Sequence, residues 1–302
     1  MNMAVELGRL KLKNPITVAS GTFGYGEEYS SIVDLNRIGA VIVKGLTLKP
    51  RHGNPPPRIA ETPSGMLNAI GLQNVGVDCF VKEKVPFLSC FDTAIIANIN
   101  GSTIDEYREL AKILNKVDEV SALEINLSCP NVREGGIHFG TMPEKVFELT
   151  DAVRVVYDKA VLVKLSPNIT DIIPLARAAV EAGADGVSVI NTLLGMAVDI
   201  RKRKPVLKNI TGGLSGPAIK PVALRMVHEI YQHVPVPILG MGGISSVEDV
   251  LEFLIVGASA VSIGTANFIN PCTSIQILDK LISYMNENNI VDICDLTGSL
   301  KI

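Results

Sequence analysis

One cysteine and a set of asparagines and lysines carry the chemistry legible in this sequence. Cys129 lies in the run Asn126-Leu127-Ser128-Cys129-Pro130-Asn131, just after a strand-like stretch, Ala122 to Leu127. A thiol there can act as a nucleophile, or as an acid or base when its pKa is tuned. No histidine adjoins it. His138 is the nearest, and the acyl-transfer machinery of a Cys–His hydrolase is not in view. A buried small hydrophobe is the plain alternative for a lone cysteine, and Cys79, Cys90, Cys272 and Cys294 read that way. Lys44, Asn98, Asn126, Lys164 and Asn191 each close an expected strand, where Val, Ile and aromatics are preferred. A solvated strand end accounts for any one of them but poorly for all five. Together they fill one rim with donors and a few acceptors. Buried amides and ammonium groups need partners, so a polar ligand is implied, and two lysines suit a reduced cofactor, an anion, or both.

Glycine turns form the second signal. Thr211-Gly212-Gly213-Leu214-Ser215-Gly216 precedes a helical pattern, Gly240-Met241-Gly242-Gly243-Ile244 follows a strand, and Gly264-Thr265 ends the last strand. Late strands of an α/β barrel commonly end in a phosphate site built from backbone N–H groups, and glycine lets a phosphate approach the backbone. Ordinary βα turns are the competing explanation. Neither a G-x-G-x-x-G nor a G-x-x-x-x-G-K-S/T motif is present. His52, His138, His228 and His233 show no spacing with Cys or acidic residues that fits a metal site, so no metal is expected.

Positioning these residues requires alternating elements. After a small β-hairpin over Val5 to Ile16, eight expected strands follow. They are Thr17 to Ser20, Ala40 to Lys44, Thr93 to Asn98, Ala122 to Leu127, Val161 to Leu165, Gly186 to Ile190, Val236 to Met241 and Ala258 to Ile263. Most are Val/Ile-rich without clean alternation, as strands covered on both faces read. Helical patterns separate them, at Tyr29 to Ile38, Val77 to Phe87, Ile104 to Leu114, Pro143 to Val156, Asp171 to Ala182, Pro217 to Ile230 and Ser246 to Val256. Ser274 to Asn286 is the last helix. This is the arithmetic of a (β/α)₈ TIM barrel, with a doubly wound open sheet as the competitor. The likeness of Ala182-Gly183-Ala184-Asp185-Gly186-Val187 to Val256-Gly257-Ala258-Ser259-Ala260-Val261 favours the barrel. Leu46 to Gly76 and Asn191 to Gly216 are too long for turns and read as catalytic-face insertions. No linker interrupts 1–302, which reads as a single domain.

Composition narrows the partners. The 302 residues are 47% hydrophobic and 20% charged, with a formal net charge of -3, so there is no composition-level case for nucleic acid. No apolar run reaches the length of a membrane-spanning helix, and Met1 to Leu10, carrying Glu6 and Arg9, does not read as a secretory leader. Five cysteines without clustering speak against a disulfide scaffold and for a reducing cytoplasm.

At these residues the sequence resembles the dihydroorotate dehydrogenase family of flavin enzymes. The matching pieces are Asn14-Pro15, Ala19 to Gly24, Lys44-Gly45, Asn68 to Leu72, Asn98, Asn126 to Asn131, Lys164 to Pro167, Asn191-Thr192, Gly212 to Gly216, Gly240 to Ile244 and Gly264-Thr265, in order along nearly the whole chain. The Cys base and the opening resemble the soluble class 1 branch, and Ala19 to Gly24 resembles the 1B catalytic subunit. The resemblance implies that Ser20, Lys44, Gly45, Asn98, Asn126, Lys164, Ile190, Gly216, Gly242, Gly243, Gly264 and Thr265 hold FMN. It implies that Asn68, Ala69, Ile70, Gly71, Leu72, Asn126, Asn191 and Thr192 hold dihydroorotate or orotate, with Lys44 and Asn131 nearby, and that Cys129 is the base. Val132 to Gly140, with Gly135 and Gly136, would be a lid.

The chain lacks clustered cysteines for iron–sulfur ligation and a dinucleotide fingerprint. The 1B resemblance therefore implies a partner subunit carrying FAD and a [2Fe–2S] cluster that passes electrons to NAD, and a catalytic homodimer flanked by two such subunits. The alternatives are a fumarate-using class 1A homodimer, another flavin-dependent dihydropyrimidine or dihydrouridine reductase, a non-redox phosphate-binding barrel in which Lys164 forms a Schiff base, and a non-catalytic scaffold subunit. The basic run Arg201 to Lys204 and the C-terminal tail receive no role.

Overall fold

Eight short strands, all parallel, hydrogen-bond in chain order and close on themselves in the computed structural model, which describes residues 1–127 and 139–301. They are β1 (Ile16–Val18), β2 (Ala40–Ile42), β3 (Ala94–Ile99), β4 (Val120–Asn126), β5 (Ala160–Lys164), β6 (Gly186–Val189), β7 (Ile238–Met241) and β8 (Ala260–Ile263). β8 pairs back onto β1 through Val261 with Ile16 and Ile263 with Val18. Closure excludes the open-sheet alternative. Most barrel residues are fully buried, because side chains fill the lumen and helices cover the outside. An antiparallel hairpin, Val5–Leu7 with Leu10–Leu12, precedes the barrel.

Helices α1 (Ile104–Asn115), α2 (Pro143–Arg154), α3 (Ile173–Glu181), α4 (Lys220–His233), α5 (Val247–Ile255) and α6 (Thr273–Glu287) follow β3 to β8 in turn. Their starts follow local chemistry. Thr103 accepts the Glu106 N–H ahead of α1, and Ser246 forms a reciprocal capping box with Asp249 ahead of α5. The turns at Gly183 and Gly257 both take positive φ and lead into β6 and β8, as their matching sequences suggest. None of the helices of the described residues is long and apolar enough to cross a membrane.

Two elements differ from the sequence reading. Tyr29 to Ile38 is not an α-helix; its only helical piece is a 3₁₀ turn at Leu35–Arg37, where the Asp34 side chain accepts the Asn36 N–H. Val77 to Leu88 is helical but contains a π-type turn at Phe80–Lys84. The two long insertions are also not simple loops. Ile59–Thr62 pairs with Gly65–Asn68 of the same insertion, Gly65–Asn68 pairs with Thr211–Ser215 of the second, and Thr211–Ser215 pairs with Leu193–Met196, making a four-stranded antiparallel sheet over the barrel mouth. Arg201 to Lys204 forms the exposed tip of a narrow hairpin, with Asp199 accepting the Arg201 and Lys202 N–H groups.

Capping at α5 gives a direct stability test. Ser246→Ala removes the acceptor for the Asp249 N–H, 3.3 Å away, and should cost about 1 kcal/mol in a urea melt. An unchanged midpoint would show that the cap contributes nothing.

Candidate active site

Register, more than sequence proximity, assembles the site. Asn98 of β3 pairs with Glu124 of β4, and Asn126 of β4 pairs with Lys164 of β5. Lys164 in turn pairs with Ser188 of β6. Residues two apart on a strand share a face, so Glu124 and Asn126 lie on one side. That side is the barrel interior, since Asn191, past β6, reaches across β5 to bond with Asn126.

The polar interior is tightly connected. Asn98 Nδ2 donates to Glu124 Oε2 at 2.6 Å, and Lys164 Nζ stands 3.9 Å from the same oxygen. Asn100 Nδ2 donates to Asn98 Oδ1 at 2.8 Å, and Asn126 Nδ2 donates to Asn100 Oδ1 at 2.8 Å. Asn191 Nδ2 donates to Asn126 Oδ1 at 3.0 Å. Glu124, Asn98, Asn100 and Lys164 are buried, while Asn126 and Asn191 are half-buried at the open end. Among the described residues, Glu124 Oε1 has no hydrogen-bond partner. A buried carboxylate is tolerated only with such company.

Gly45 makes room for this network. A Cβ there would sit 2.9 Å from Asn98 Oδ1 and closer still to Asn100 Nδ2. Lys44, just before it, is anchored by its N–H to Gly24 O and is half-buried. Burial pulls its ammonium below the ordinary lysine value, the Arg58 guanidinium lowers it further, and Glu28 partly offsets both.

The glycine turns converge as a second cluster. Gly216, Gly242 and Gly243 all have positive φ. A Cβ on Gly243 would meet Gly216 O at 2.9 Å and the Lys220 side chain. Thr265 Oγ1 donates to Ser215 Oγ at 2.8 Å, joining the end of β8 to the outer sheet. Gly264 lies beside Ala19, next to Ser20, because β1 and β8 are neighbours. Ile190 is buried and donates its N–H to Met241 O, linking β6 to β7. Lys220 is the cation beside these turns, but Asp249 and Glu252 each hold it at 2.6 Å.

The outer sheet carries the remaining expected residues. Asn68 donates to Gly213 O at 3.3 Å, and Thr192 packs so closely on Gly213 that a Cβ there would collide with it. Asn54 holds the Ala69 and Ile70 carbonyls, and Asn74 holds the Leu72 carbonyl, so the Asn68 to Leu72 segment, with Gly71 and Leu72 at positive φ, is fixed in shape. Cys129 and Asn131, with Ser128, Pro130 and His138, lie outside the described residues, as does most of the expected lid. Among the described residues, no cluster of His, Cys, Asp or Glu could hold a metal ion.

Four residues of the site escaped the sequence reading. Glu124 and Asn100 complete the interior network. Asn168 pins the Asn191 to Leu194 segment by donating to Thr192 O and accepting from the Leu194 N–H. Arg58 stands near Lys44. Glu124 did carry a signal, being the charged residue in an otherwise apolar or small-residue strand.

A family model described as dihydroorotate dehydrogenase matches residues 2–285. The catalytic subunit of dihydroorotate dehydrogenase B (NAD(+)) from Thermoanaerobacter sp. (strain X514) is 56% identical over 302 residues, covering 100% of both chains. The protein of the same description from Trichlorobacter lovleyi is 58% identical over 299 residues, covering 99% of this chain and 98% of its own. A solved DHODH from Eimeria tenella, in complex with ferulenol, superposes with a TM-score of 0.81 at 24% identity, over 99% of this chain and 88% of that one. That likeness speaks to the fold alone.

Gly45→Ala should displace the Asn98 and Asn100 amides and cost about 1–3 kcal/mol, read from denaturant unfolding. A loss below about 0.5 kcal/mol would mean that the two amides have room to yield.

Proposed function

This chain belongs to the dihydroorotate dehydrogenase family and is an NAD-linked catalytic subunit of the class 1B kind in pyrimidine biosynthesis, and we propose that its barrel mouth joins FMN to dihydroorotate. The observation that carries this reading is the interior network of Lys164, Glu124 and four asparagines, opening beneath a sheet that holds Asn68 and Thr192. Asparagine amides donate and accept at once, which suits a pyrimidine with alternating N–H and C=O groups.

The residues present fit FMN. Gly216, Gly242 and Gly243 are bare of side chains where a Cβ on Gly243 would strike backbone, which suits a phosphate held by Gly216, Gly242, Gly243, Gly264 and Thr265. Ser20, Lys44, Gly45, Asn98, Asn126, Lys164 and Ile190 would line the rest. Lys164 supplies a positive charge for a flavin that gains negative charge on reduction. When bound, FMN supplies the acceptor for the hydride that leaves substrate carbon C6.

The chain's own residues do the rest. Lys44, with Arg58 behind it, offers positive charge to the substrate carboxylate. Asn68, Asn126, Asn191 and Thr192 fix the ring, with Asn131 and the Ala69 to Leu72 segment beside it, which reduces the freedom the substrate must lose at the reacting geometry. Cys129 takes the proton from C5. Loss of that proton and of the C6 hydride leaves the C5=C6 double bond of orotate.

We propose that the chain acts as one flavin domain in the cytoplasm, as a homodimer assembled with two electron-transfer subunits that carry FAD and a [2Fe–2S] cluster. An exposed apolar row, Leu194, Met196, Val198 and Ile200, on the insertion over the barrel mouth supports a protein contact there.

Cys129→Ala should keep flavin and orotate binding while slowing anaerobic flavin bleaching by dihydroorotate by at least about 10²-fold in rapid mixing. Near-parental bleaching would remove Cys129 as the base. Assayed alone, the chain should not reduce NAD, and NAD activity should appear when the native partner is added. Robust fumarate-dependent turnover by the lone chain, unaffected by any partner, would move it to the 1A kind.

A further inference from the structure

Glu124 is fully buried, and the chemistry above gives it no task. Its place in the network is nonetheless specific. Asn98 donates to it, Asn100 donates to Asn98, Asn126 to Asn100, and Asn191 to Asn126. The Thr192 N–H then donates to Asn191 Oδ1 at 2.8 Å. Every donation in the file therefore points toward Glu124.

Direction is the physical issue. A carboxamide can present either its oxygen or its nitrogen to a neighbour by turning over, so a file of amides alone has two orientations of similar energy. A carboxylate with a lysine ammonium 3.9 Å away offers no such choice, because it accepts and does not donate. Asn98 must turn Nδ2 to Glu124, which leaves Oδ1 for Asn100, and the choice passes along to Asn126 and Asn191. We infer that Glu124 is a positioning residue that sets the direction of this asparagine file and thereby which edges of Asn126 and Asn191 meet the pyrimidine. The inference rests on the reading that those two residues bind the substrate. It assigns Glu124 a task in recognition at a distance, through Asn98 and Asn100, in addition to pairing Lys164.

The test is orotate affinity measured by perturbation of the flavin spectrum in flavin-loaded protein, with flavin content and melting temperature recorded beside it. The parent is titrated first, and a parent that binds no orotate defeats the functional reading itself rather than this inference. Glu124→Met keeps the volume but deletes the acceptor, and Asn100→Leu cuts the file while leaving the Glu124–Lys164 pair in place. Each should raise the orotate Kd by at least about tenfold at parental flavin content. Glu124→Gln, which retains an acceptor, should lose less. The double variant should lose no more than the worse single one, because both break the same file. Orotate binding within about twofold of the parent in either flavin-loaded single variant, or fully additive losses in the double variant, would overturn the inference. Should Glu124→Met fail to load flavin, Asn100→Leu decides by the same threshold.

Discussion

A carboxylate inside a barrel must be answered by donors and by opposite charge, because water cannot do it there. Glu124 sets that demand, and Asn98 and Lys164 meet it from the strands on either side. An ion pair so deep is not a source of net stability by itself, since removing both charges from water costs several kcal/mol. Its consequence is order. Three strands are tied through their side chains as well as through their ladders, at the end of the barrel where the site opens.

The other features adapt to that core. Gly45 is bare because the Asn98 and Asn100 amides occupy the space a Cβ would need. The outer sheet brings Asn68 over the mouth by pairing Gly65–Asn68 with Thr211–Ser215, segments far apart in the chain. Ser215 also binds Thr265, so the outer sheet is tied to the turn after β8, where the phosphate is proposed to sit. The residues proposed for substrate and for cofactor thus share one scaffold, which is the condition for holding two reactants in a fixed relation.

Much of this was legible in the sequence because parallel strands buried on both faces are monotonous. Against Val and Ile, the residues Lys44, Asn98, Asn126, Lys164 and Asn191 stood out at one end of the pattern, and the glycine turns fell after the late strands. Glu124 is not legible in the same way because it lies two residues inside its strand, where one charge in an apolar run does not announce its partner. Asn100 stands one residue past the end of its strand, where the sequence names no partner for it. The outer sheet was hidden for a different reason: its strands are short, and their register depends on pairing between two insertions, which no local pattern encodes. Tyr29 to Ile38 carried a helical spacing of apolar residues, but Asp34 offered the backbone a competing turn.

The polar interior is proposed to hold a flavin against a dihydropyrimidine. Purifying the chain, releasing its chromophore by denaturation, and in parallel adding dihydroorotate to the intact protein without oxygen tests it most directly. FMN is expected to be released in stoichiometric amount, and dihydroorotate to bleach the bound flavin fully. A protein that carries no flavin after reconstitution, that carries FAD alone, or whose FMN stays oxidised in excess dihydroorotate would contradict it.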